Sequence, residues 1–184
     1  MSQFRGFIAV DIDSFPKILE FEKELVETRA NIKLVEPENV HITLKFLGET
    51  DEDLIDTIDV VIKNAVQGIN KFNIILEGAG VFPNKKYIKI IWLGIKQGEK
   101  LVGIAKNIDE ELSKMGFKKE KRNFSAHLTI ARVRSAKNIE KLLRIIEKYT
   151  DFKFAEINVD SIKLKKSVLT QKGPIYTNLK VIRL

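Results

Sequence analysis

The chain has 184 residues, 44% hydrophobic and 31% charged, with a net charge of +7 and no cysteine. That length suits one domain or two small lobes sharing a core, and the composition excludes disulfides, thiolate metal sites, a cysteine nucleophile and a transmembrane helix. The charge is uneven: residues 1–92 carry 11 Lys and Arg against 15 Asp and Glu, whereas residues 93–184 carry 21 against 10, a balance that fits either an anionic partner such as RNA or a nucleotide, or a solvated basic surface.

The N-terminus runs straight into an alternating strand, Phe4–Ile12, without the basic region or cleavage site of a secretory leader, so a cytoplasmic location is expected. Ser14 is placed to cap a helix with Pro16 in its first turn, ending near Ala30. His41–Leu47 reads as a strand closed by Gly48. Asp51, Asp53 and Asp56 load the start of a second helix, whose apolar positions from Leu54 to Val66 recur at helical spacing. Lys71–Val81 and Tyr87–Ile95 read as strands joined by a turn at Phe82-Pro83-Asn84-Lys85-Lys86. Gln97–Met115 reads as a helix ended near Gly116, His127–Val133 as a strand and Asn138–Tyr149 as an amphipathic helix. Phe152–Ile157, Ser161–Leu169 and Ile175–Leu184 read as strands, with a turn at Lys172-Gly173-Pro174. The order strand, helix, strands occurs twice, which predicts two related halves fused as lobes within residues 1–184.

Only two histidines are present, 86 residues apart, and each opens the same pattern: His41-Ile42-Thr43-Leu44 and His127-Leu128-Thr129-Ile130. With so few threonines, a chance match of both has odds of roughly two in a thousand. On a strand, His and Thr share one face and the two aliphatics share the other. Facing lobes would therefore line one cleft with two imidazoles and two hydroxyls. That set suits displacement at phosphorus: a neutral imidazole deprotonates the nucleophile, a protonated one donates to the leaving oxygen, and the hydroxyls bind the non-bridging oxygens. An ordinary His pKa of about 6.5 lets both forms coexist near neutrality. No cysteine accompanies the histidines and neither tetrad contains a carboxylate, so the set is poor for a transition metal, and no metal or other cofactor is expected.

Around these tetrads the chain resembles a known family. Residues 37–48 (PENVHITLKFLG) and 124–132 (FSAHLTIAR) resemble the paired signatures of the RNA 2′,3′-cyclic phosphodiesterases, also called 2′-5′ RNA ligases, of the two-histidine phosphoesterase superfamily. Arg5-Gly6-Phe7-Ile8-Ala9-Val10 and the stretch Leu164–Leu179, with Ser167, Leu169, Gly173, Tyr176 and Leu179, extend the resemblance over essentially the whole chain. Ala126 departs from it, standing where many members have proline. The resemblance implies an α+β, bilobal fold with an antiparallel sheet in each lobe, flanking helices and the active site between them. It implies hydrolysis of an RNA 2′,3′-cyclic phosphate end to a 2′-phosphate, and the joining of such an end to a 5′-hydroxyl through a 2′-5′ bond. It makes His41 the proton donor and His127 the proton acceptor, and matches Arg132 to a phosphate-binding arginine.

Other site candidates rest on position. Lys45 shares a face with His41 and Thr43 if the strand is regular, and would then reach a phosphate. Phe46 and Tyr176 are candidate base or substrate contacts, as are Tyr87 and Trp92, although core packing is the commoner role for an aromatic on a strand. Lys118, Lys119, Lys121 and Arg122 form a basic run before the second motif, suited to an RNA backbone or to solvent. Nothing demands a dimer, so a monomer is expected. Two other readings stay open: a related enzyme for small cyclic nucleotides or 2′-5′ oligonucleotides, and a non-catalytic binder of RNA ends.

Overall fold

The structure is a computed structural model, and it describes residues 2–120, 124–171 and 173–184. The elements run β1 (Gln3–Asp11), α1 (Pro16–Glu27), β2 (Ile32–Leu34), β3 (His41–Asp51), α2 (Ile55–Ala65), β4 (Phe72–Asn84), β5 (Tyr87–Lys96), α3 (Glu99–Lys114), β6 (His127–Val133), α4 (Ile139–Lys148), β7 (Lys153–Val159), β8 (Ser161–Leu169) and β9 (Pro174–Arg183). The strands form two antiparallel sheets, ordered β3-β1-β8-β9 and β2-β6-β5-β4-β7. The α+β class with two helix-flanked sheets is therefore as the sequence suggested.

Several local expectations need correction. Phe15, not Ser14, is the N-cap of α1, and no side chain caps it; Pro16 alone supplies the start, because its fixed φ suits the first helical turn. The β4–β5 hairpin is longer than its Pro-Asn punctuation suggests. Phe82, Pro83 and Asn84 stay in the ladder, and the turn shrinks to Lys85-Lys86, where Asn84 Oδ1 accepts from the amides of Lys86 and Tyr87. β3 passes through Gly48, which adopts a φ of +74° that glycine tolerates without a Cβ clash, and continues to Asp51. The three-residue β2 gave no sequence signal because it is too short for a period to show.

The lobes are not the two halves of the chain. β8 and β9, from the second half, complete the first sheet, while β2, from the first half, edges the second. The helices cross as well: α1 follows a strand of the first sheet yet packs on β7 and α4 of the second, and α3 follows a strand of the second yet packs on β3 and α2 of the first. Each presents an apolar stripe, Ile18, Phe21 and Leu25 on α1, and Leu101, Ile104, Ile108 and Leu112 on α3, and all seven are buried. One hydrophobic cluster takes residues from both sheets and all four helices.

The single Trp is fixed by small neighbours. Trp92 on β5 lies across Gly80, its partner on β4, so closely that a Cβ there would meet the indole at 2.2 Å. Phe82 packs on the same ring at 5.1 Å and limits its escape. Gly80→Ala should cost about 1–3 kcal/mol by overpacking. Denaturant unfolding followed by Trp fluorescence checks this; an unchanged midpoint would show that the indole slides aside freely.

Candidate active site

β3 and β6 meet at the seam between the sheets and open with the two motifs. Ile42, Leu44, Leu128 and Ile130 are all buried in the core, and His41, Thr43, His127 and Thr129 line one cavity of about 200 Å³. The alternation expected of each tetrad thus holds. The structure also shows what sets the rings. His41 Nδ1 lies 2.6 Å from the carbonyl of Asn39, and His127 Nδ1 lies 2.8 Å from that of Ser125. A carbonyl only accepts, so each Nδ1 carries the hydrogen and each Nε2 is left for the chemistry. The acceptor sits two residues before the histidine in both motifs. Because it is backbone, no residue type announces it.

Apolar and aromatic contacts complete the ring positions. Phe7 on β1 packs against His41 at 5.0 Å and Tyr176 on β9 meets it edge-on at 5.3 Å, while Phe82 meets His127 edge-on at 5.1 Å. Asn39 is buried and donates from Nδ2 to the carbonyl of Pro174 at 3.0 Å, which ties the approach to β3 to the start of β9. Burial holds the His41 pKa below the ordinary imidazole value; the positive charges of Lys165 and Arg132 push the same way, against the Asn39 carbonyl and Asp11. Burial likewise pushes the Tyr176 phenol up, partly offset by Arg132 and Arg5.

After the threonine, both strands break step in the same way. Ile8 pairs with Lys45 but Ala9 pairs with Thr43, so Leu44 is an extra residue; Ile91 pairs with Ala131 but Trp92 pairs with Thr129, so Ile130 is extra. A bulge of one residue switches the faces of everything beyond it. Lys45 is therefore turned away from the cleft, contrary to the expectation from a regular strand. It is 2% exposed, and its Nζ donates to Asp109 Oδ1 on α3 and to the carbonyl of Lys118, both at 2.5 Å. Ala131 takes the same inward place on β6.

The residue after that is thrown into the cleft on both strands. Phe46 is 68% exposed and Arg132 is also exposed, and both line the cavity. Phe46 is thus a cleft residue rather than a core one. Tyr176 joins the lining, with Pro174 and the segment Lys33–Glu36, which the sequence did not flag. Trp92 packs over Gly80 and does not line the cavity, and Tyr87 is exposed at the hairpin end. Of the basic run, Lys118 and Lys119 are exposed, and Lys121 and Arg122 lie outside the described residues. Among the described residues, no group of three or more His, Asp or Glu side chains is arranged to hold a metal ion, and no helix is long and apolar enough to cross a membrane.

Lys45→Met should therefore lower stability by about 1–3 kcal/mol, by taking the ammonium from the Lys118 carbonyl and from Asp109, which keeps the Glu120 amide. The NMR titrations of both imidazoles should stay where they are, since Lys45 lies on the far side of β3. A displaced His41 titration would place the ammonium back in the cleft.

Known proteins align with this architecture. The family model of the 2′-5′ RNA ligase superfamily matches residues 15–168. The chain is 46% identical over 178 residues to a Methanocaldococcus jannaschii protein named RNA 2′,3′-cyclic phosphodiesterase, covering 96% of this chain and 98% of that one. It is 38% identical over 182 residues to a protein of the same name from Methanothermobacter thermautotrophicus, covering 98% of each. Among solved structures, TT0787 of Thermus thermophilus superposes with a TM-score of 0.79 at 23% identity, covering 98% of this chain and 97% of that one. Escherichia coli LigT in complex with 3′-AMP superposes with a TM-score of 0.71 at 22% identity, covering 100% and 99%. With both imidazoles fixed on one cavity at the seam of two antiparallel sheets, and with this family match, the chain belongs to the 2′-5′ RNA ligase superfamily.

Proposed function

We propose that the chain hydrolyses the 2′,3′-cyclic phosphate at the end of an RNA to a 2′-phosphate, by proton transfer between two imidazoles and without a metal ion. The observation that carries this reading is the pair of Nδ1–H···O=C bonds, which leave two Nε2 atoms for one cavity beside two threonines and an arginine. Relatives named RNA 2′,3′-cyclic phosphodiesterase support the reaction, and the excess of Lys and Arg supports an RNA substrate.

In this reading the neutral His127 takes a proton from water through Nε2 as the water oxygen bonds to phosphorus. The bond from phosphorus to O3′ breaks, and His41 gives its Nε2 proton to O3′. The phosphate stays on O2′. Thr43, Thr129 and Arg132 hold the non-bridging oxygens, where charge gathers in the transition state. Burial and the nearby positive charges disfavour the protonated His41 that the donor role requires, and an anionic phosphate beside the ring favours that form. Phe46 offers an exposed ring for the terminal base, and Tyr176 borders the same space. With a 5′-hydroxyl in place of water as the nucleophile, the same steps join the cyclic end to it through a 2′-5′ bond: the P–O3′ bond breaks and O3′ takes the His41 proton. One chain supplies both imidazoles, so a monomer is sufficient.

A free cyclic mononucleotide is the second reading, favoured by a cavity of only about 200 Å³, room for a single nucleotide end. Comparing kcat/KM for an RNA with a cyclic terminus against a free cyclic nucleotide separates the two.

The decisive experiment incubates the protein with an RNA ending in a 2′,3′-cyclic phosphate, in EDTA, across pH 5–9. We expect a 2′-phosphate product and a bell-shaped pH profile, and a loss of about 10²–10⁴ in rate for His41→Ala and for His127→Ala. Turnover only with added metal, a 3′-phosphate product, or full activity in either variant would overturn the mechanism. Phe46→Ala should raise KM more than it lowers kcat, and an unchanged KM would remove the base from that ring.

A further inference from the structure

Beside His41 lies a group of charges that the reaction scheme does not use. Asp11 stands directly across from His41 in the β1–β3 ladder. Its carboxylate accepts from Lys163 Nζ at 2.7 Å and from Lys165 Nζ at 2.5 Å. The two lysines extend from β8 on the same face, where Lys163 pairs with Ala9 and Lys165 with Phe7, the residue packed against the His41 ring. Lys165 is 4% exposed, so its charge acts through little screening solvent. Two ammonium groups on one carboxylate leave one net positive charge behind the imidazole.

We propose that Asp11, Lys163 and Lys165 form a charge-setting cluster for His41, fixing how tightly its imidazole holds a proton. They are positioning residues: none lines the cavity, and they act through His41. The other groups facing the ring are Arg132 from β6, adding positive charge, Tyr176 from β9, neutral at ordinary pH, and the Asn39 carbonyl. The net positive surroundings weaken protonation of His41 in the empty cleft, and an anionic phosphate arriving there restores it. The catalytic half of this inference rests on His41 being the acid; the charge-setting half does not.

A purely structural role predicts something different. Removing one partner of a buried ion pair costs stability, but Asp11 keeps Lys163 as a partner. Lys165→Met would then fold and leave His41 unmoved.

The test is an NMR titration of the imidazoles, of which there are only two, with His41 identified by its absence in His41→Ala. Lys165→Met should raise the His41 midpoint by about one pH unit, because a repelling charge goes and Asp11 loses a neutralising partner. Asp11→Asn should move it the opposite way. Lys165→Arg, which keeps the charge, should hold it near the wild-type position. If Asp11→Asn fails to fold, Lys163→Met serves instead and should move His41 upward. No movement in Lys165→Met, or movement in the same direction for Lys165→Met and Asp11→Asn, overturns the cluster's role. The pH–rate break that His41→Ala abolishes should follow the NMR midpoint in each variant. If the midpoint moves while that break stays, the catalytic half fails and the charge-setting half stands.

Discussion

The cleft depends on chain segments that begin in one sheet and pack on the other. α1 and α3 cross between lobes in opposite directions, and β2 and the β8–β9 pair are exchanged as well. Separating the sheets would expose apolar stripes on both helices, so their relative placement is fixed by the burial that forms the core. This matters because each imidazole stands on a different sheet. The width of the cleft therefore depends on how the two lobes are held, and each lobe takes strands or helices from both halves of the chain.

Within that frame, the bulges after Thr43 and Thr129 assign the roles of the flanking residues. A regular strand would put the fourth residue after each histidine beside it and bury the fifth. One inserted residue reverses this: Lys45 and Ala131 go inward, and Phe46 and Arg132 go to the cleft. The two sheets thereby present unlike groups at equivalent places, a ring on one and a guanidinium on the other. A symmetric backbone is thus given an asymmetric site.

The two imidazoles also differ in surroundings, although their backbone bonds match. His41 lies between Phe7 and Tyr176, with a charged cluster close by. His127 meets the ring of Phe82, next to the close-packed Trp92. Equal tautomers in unequal surroundings fit the proposed division into a proton donor and a proton acceptor.

The features that depend on short-range pattern were legible along the chain. Period-two alternation placed His41 with Thr43 and His127 with Thr129, helical periodicity placed α2 and α4, Pro16 and Gly116 marked the start of α1 and the end of α3, and the repeat of the tetrad pointed both motifs to one site. The three-residue β2 and the length of the β4–β5 hairpin escaped, the first because it is shorter than any readable period, the second because Pro83 and Asn84 read as a turn. The remaining features were set by partners distant in sequence. Nothing in His41–Leu47 reveals that Leu44 will find no partner on β1, so the inward turn of Lys45 toward Asp109 and the outward turn of Phe46 were not legible. The same holds for Asp11 beside His41 and for its lysines more than 150 positions away. Side-chain pattern is written along the chain, but register and strand exchange are settled by the best collective burial of the two sheets.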